Sequence, residues 1–157
     1  MADDQSRLDR ELMELLNELR VALPGIQVLF AFLFTVPFTT RFGDLTDFQR
    51  TVFFVAFLAA AAATVLLIAP TANHRLRWRE GDKEKLLRRA NVMTIAGLAI
   101  LAVAMTAAVL LVTDLLYEIP AASVTAAGLA AAFALSWYVL PLSRKLRDRP
   151  RREAPTD

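Results

Sequence analysis

The chain has 157 residues, 56% of them hydrophobic and 22% charged, with a mean hydropathy of +0.43 and a formal net charge of +2. Its charges are gathered in blocks between long apolar stretches, which excludes a soluble globular domain and reads as an integral membrane protein. Cysteine is absent, so disulfides and thiolate metal sites are excluded as well.

The first predicted element is an amphipathic helix within residues 1–21. In "SRLDRELMELLNELR", Leu8, Leu12, Leu15, Leu16 and Leu19 recur at helical spacing, and Ser6 with Asp9 three residues on fits a capped start. Glu11, Glu14 and Glu18 fall close together on its polar side. Anionic lipid would repel that side, so its expected contact is a protein, and the nearest basic segment is "HRLRWREGDKEKLLRR", with His74, Arg75 and Arg77 as candidate contacts. The plainer alternative is a solvated acidic face beside leucines packed under the membrane helices.

Four apolar stretches follow, at about residues 22–39, 50–69, 91–113 and 121–141. Each is near the roughly 20 residues that a helix needs to cross about 30 Å of hydrocarbon. The expected fold is therefore all-α: a four-transmembrane-helix bundle over residues 22–142, after the amphipathic helix and before a charged tail at 143–157 that is read as disordered.

The first span, "LPGIQVLFAFLFTVPFTTRF", is too long and interrupted for a cleaved signal, and what precedes it is acidic. It is also the least regular span. Pro24 and Pro37 each remove a backbone hydrogen bond, so kinks are expected at both. Gln27, Ala31 and Thr35 repeat every four residues and place an amide and a hydroxyl near one line. A glutamine facing lipid would be unpaired, so this stripe should face a helix or a wet path. As glue between helices such a bond contributes about 1 kcal/mol. As a path lining, the stripe would run between Arg20 at the inner end and Thr39, Thr40 and Arg41 at the outer mouth.

The later spans carry small-residue ridges: Ala56, Ala60 and Thr64 on the second, Ala104 and Ala108 on the third, and Ala122, Ala126, Ala130 and Ala134 on the fourth. Such ridges let helix backbones approach closely, and four helices need not cover all of them internally, which favours a homo-oligomer. Trp78, Trp137 and Tyr138 read as interface anchors. Shifting the chain by 71 residues aligns Val21 with Val92, Asp47 with Glu118, Ala59, Ala60 and Ala61 with Ala130, Ala131 and Ala132, and Pro70 with Pro141. This suggests two tandem helical hairpins related by an axis along the membrane normal.

Lysine and arginine set the orientation. The connection between the second and third spans holds Arg75, Arg77, Arg79, Lys83, Lys85, Arg88 and Arg89, and the tail is similarly basic. The two other loops contribute only Arg41 and Arg50, so both termini are expected in the cytoplasm. The basic segments are expected to meet anionic lipid headgroups, not nucleic acid.

No Asp, Glu, Lys, Arg or His falls well inside a proposed span, which gives little support to a membrane proton relay. His74, alone among arginines, reads as a headgroup contact and not as a metal ligand. No metal-ligand cluster, nucleophile-base pair or phosphate loop is present, so neither an enzyme nor a cofactor is expected.

"ELRVALPGIQVLFAFLFTVPFTTRF", "LTDFQRTVFFVAFLAAAAATVLLIAPTANHRLRWR" and "KLLRRAN" at the start of the third span resemble a family of small, uncharacterised membrane proteins found mainly in actinobacteria. The similarity covers roughly residues 10–142. The resemblance implies a bacterial cytoplasmic membrane and a self-contained four-helix unit; some members carry an automatic sodium/proton antiporter label. It brings no catalytic residues. Two functions of different class follow: an oligomeric channel or transporter-like assembly lined by the first span, or an accessory or scaffolding subunit docked on another membrane protein.

Overall fold

A computed structural model describes residues 2–76, 83–117, 119–140 and 143. The described residues are helical apart from short bends, in the order α1 (Ala2–Thr35), α2 (Asp47–Leu76), α3 (Lys83–Leu116) and α4 (Ile119–Ala134). Four helices are long and apolar enough to cross a membrane. The expectation for the tail, and the candidate contact Arg77, lie outside the described residues.

α1 runs unbroken through Pro24, so the change from amphipathic stretch to apolar span is one of composition and not of backbone. At the second proline the helix does not kink and continue. It ends at Thr35, and Pro37 sits in the first positions of a 3-10 turn, Val36–Phe38, where its missing N–H costs nothing. A second 3-10 segment, Thr40–Asp44, carries the chain to α2. There Thr46 and Gln49 form a reciprocal cap: the Gln49 backbone N–H donates to Thr46 Oγ1 at 3.2 Å, and the Thr46 N–H donates to Gln49 Oε1 at 3.1 Å.

The centre of the molecule is the α2–α3 pair, which pack against each other along their length, with α1 laid against both. The buried residues of α2 are Phe53, Ala56, Ala60, Ala63, Leu67 and Pro70, an alternation of three and four that keeps one seam facing its partner. α3 answers with Ala90, Gly97, Ala104 and Leu111 at seven-residue steps, and α1 with Leu19, Ile26 and Leu33 at the same step. At Gly97 the contact leaves no room for a side chain: a Cβ there would lie 2.7 Å from Leu67 Cγ. Where the spans sit in lipid, apolar side chains gain nothing by leaving it, so this contact rests on close van der Waals packing between small residues.

α4 is placed differently. It packs on α3 and makes no comparable contact with α1 or α2 among the described residues. Of its predicted ridge, Ala122 and Ala126 are buried, whereas Ala130 and Ala134 are exposed. The helix then widens into a π turn, Leu135–Val139, within which Tyr138 Oη donates to the Ile95 carbonyl at 3.1 Å. That bond ties the end of α4 to the early part of α3.

Candidate functional site

Two regions collect the residues singled out from the sequence. The first is the outward face of α1. Ile26 and Leu33 are each 1% exposed, and Pro24, Gln27, Ala31 and Thr35 lie on exposed positions of the same helix. The polar stripe therefore faces away from the other three helices, and among the described residues no helix receives it. Its two polar members differ. Thr35 Oγ1 donates to the Ala31 carbonyl at 2.9 Å, one turn back in its own helix, so its hydroxyl proton is satisfied locally. The Gln27 amide has no hydrogen-bond partner among the described residues.

Beyond Thr35 the chain turns a tight corner. Thr39 Oγ1 donates to the Val36 carbonyl at 2.8 Å, and Pro37, Thr39 and Arg41 are all exposed on this corner. Sequence reasoning missed what braces it. Phe30 stacks on Phe57 with ring centroids 5.1 Å apart, Phe53 stacks on Phe57 at 6.1 Å, and Phe42 meets Phe53 edge-on at 5.4 Å. The phenylalanines recur at helical spacing on α1 and α2, and that was the available signal. Also missed was the Gln49 side chain, which donates from Nε2 to Asp114 Oδ2 at 2.9 Å and so joins the start of α2 to the end of α3.

The second region is a groove of about 760 Å³ between the N-terminal half of α1 and the first turns of α3. From α1 it is lined by Arg7, Leu8, Glu11, Glu14, Leu15 and Glu18, and from α3 by Glu84, Leu87, Arg88 and Asn91. All three acids of the predicted contact face are thus brought together, opposite part of the basic segment expected to meet them. The ion pair in the groove is Arg7 with Glu11, at 3.1 Å and within α1 itself. Glu14, Glu18 and Glu84 make no ion pair or hydrogen bond among the described residues. His74 and Arg75 fall on the last turn of α2. Among the described residues no group of three or more His, Cys, Asp or Glu is close enough to hold a metal ion.

The comparisons with known proteins add one family. Residues 2–141 match the model of a family of unknown function, DUF6328. No curated protein and no solved structure matches the chain.

Proposed function

The chain belongs to the DUF6328 family, and because that family carries no assigned activity, we propose from the geometry that it is a non-catalytic protomer of a homo-oligomeric membrane assembly, with α1 of each copy turned toward a shared path for ions or small solutes. The observation that carries this reading is Gln27, whose amide stands on an exposed face of a membrane helix with no partner among the described residues. An unpaired amide in hydrocarbon costs about 1–3 kcal/mol or more. Turning the stripe toward other copies, or toward water enclosed by them, removes that cost. Thr35, its hydroxyl proton already bonded, still offers an acceptor oxygen to a passing cation or water.

In this proposal the membrane is the bacterial cytoplasmic one, both termini are cytoplasmic, and the basic connection meets anionic headgroups. The second reading is an accessory or scaffolding subunit docked on another membrane protein. It is favoured by the placement of α4, which packs on α3 and leaves Val124 and Ala130, with Leu135 in the π turn that follows, exposed.

The test is flux through purified protein in liposomes for protons, sodium, potassium and chloride, comparing wild type with Gln27→Leu and Thr35→Val after confirming an unchanged oligomeric state. Selective flux lost in both variants supports the path. Flux no greater than that of empty liposomes, with Gln27→Leu altering only association or stability, transfers the support to the accessory reading.

A further inference from the structure

We propose that the groove between α1 and α3 is the docking site of this chain's own basic tail, residues 144–157. The groove offers two complementary features. Leu8, Leu15 and Leu87 line it with half-buried apolar surface, and Glu14, Glu18 and Glu84 add three carboxylates without partners among the described residues. Arg7 is already engaged with Glu11, which leaves Arg88 as the other cation in the lining. The matching occupant is a basic segment with some apolar character.

The tail has that chemistry. It carries Arg144, Lys145, Arg147, Arg149, Arg151 and Arg152 against Asp148, Glu153 and Asp157, with Leu146 among the first bases. It also begins in the right place. The bond from Tyr138 to the Ile95 carbonyl holds the end of α4 beside α3. Ile95 is one helical turn, about 6 Å, beyond Asn91 in the groove lining, and about 16 Å along the axis from Glu84. Fourteen residues follow Ser143. Fully extended they reach about 46 Å, enough to pass around α3 and lie along the groove. Because the tail is tethered, its effective concentration at the groove is high and weak contacts suffice. Exposed ion pairs of this kind weaken in salt. An anionic membrane surface is the tail's competing partner, and the groove's own carboxylates keep such a surface out of the groove. The inference stands apart from the transport proposal, since it uses only the helix ends and the charge of the tail.

The cysteine-free chain permits a direct test. Glu14→Cys is combined with Arg149→Cys, and the control pair combines Arg20→Cys, exposed on α1 outside the groove lining, with the same Arg149→Cys. Both are reconstituted in phosphatidylcholine nanodiscs and oxidised. The expected result is an intrachain disulfide formed at least about fivefold faster in the groove pair, with the advantage lost in 0.5 M NaCl, as tethering plus screened charge requires. Equal rates for the two pairs, or an advantage that persists in high salt, overturns the proposal. A disulfide formed only between chains also overturns it and assigns the groove to a neighbour's tail. A second measurement avoids the cysteines: trypsin should cut the tail several-fold faster in Glu14→Gln/Glu18→Gln than in wild type. Equal cleavage, with helical content and elution volume matching wild type, counts against docking.

Discussion

α2 and α4 each carry a run of alanines, residues 59–63 and 130–132, and only the first reaches the interior, through Ala60 and Ala63. A third of the apolar window of α2, 33%, is inside the molecule, against 11% for α4. Ala60 is fully buried, whereas Ala130, Ala131 and Ala132 are exposed. The difference lies in what stands opposite. α2 faces a seam of α3 built from Ala90, Gly97 and Ala104, and two small surfaces can approach until their backbones nearly touch. The small surface of α4 beyond Ala126, at Ala130 and Ala134, is covered by no helix among the described residues. A small residue in a membrane helix therefore permits contact without specifying it; the partner's small residue completes the specification.

The sharpest way to break this contrast uses two glycines. At Gly97 an added Cβ falls 2.7 Å from Leu67 Cγ, whereas at Gly128 on α4 nothing lies within 4 Å. Gly97→Val is expected to destabilise the fold by about 1–3 kcal/mol, the usual range for overpacking, read as a lower unfolding midpoint in detergent. Gly97→Ala combined with Leu67→Ala should be less than additive, because the methyl added at 97 takes up space that the truncation at 67 vacates. A Gly97→Val protein as stable as wild type would remove the seam from the account.

Next in size is the tie across the ends of α2 and α3. Gln49→Ala removes the side-chain acceptor of the Thr46 N–H and the bond to Asp114, while its backbone N–H still donates to Thr46 Oγ1, and is expected to cost about 1–2 kcal/mol in the same assay. Asp114→Ala removes only the second and should cost less. On the α4 side the expected effects are smaller. Tyr138→Phe loses the bond to the Ile95 carbonyl, about 0.6 kcal/mol on the average for hydrogen bonds between membrane helices. Gly128→Ala should leave stability unchanged or raise it by up to about 1 kcal/mol through helix propensity alone. A loss at Gly128 as large as that at Gly97, measured at a dilution where single copies prevail, would mean that α4 is packed from its open side.

The all-helical class and the four apolar spans were legible because each is carried by local composition and length. Packing was legible only in part. Ala56, Ala60 and Ala104 are buried as their spacing suggested, but the same spacing at Ala130 and Ala134 gave the same expectation and ends in exposure. Sequence periodicity identifies a surface and is silent on its partner. Gln27, Ala31 and Thr35 do share one face, as the four-residue step requires, yet the direction of that face depends on where α2 and α3 stand. Pro24 and Pro37 read alike in sequence. Their outcomes differ because Ile26 and Leu33 anchor the helix beyond the first, whereas past the second Thr39 and Phe42 bend the chain back toward α2. The acids of α1 were read as a contact face opposite the basic connection, and the groove sets them beside Glu84 and Arg88 of that segment, though their spacing did not single out these two among its other charges.

The continuity of α1 has a mechanical side. Its 34 residues make a rod of about 51 Å, well beyond the roughly 30 Å of a hydrocarbon core. Glu14 in the groove and Gln27 on the outward stripe are about 20 Å apart along that rod, with uninterrupted helix between them. Pro24 lies between them and removes one backbone hydrogen bond, so it marks where this rod can bend. The groove, the outward stripe and the Val36–Phe38 corner are thus strung in that order on one continuous helix and its end, the first of them beyond the reach of a hydrocarbon core that holds the second.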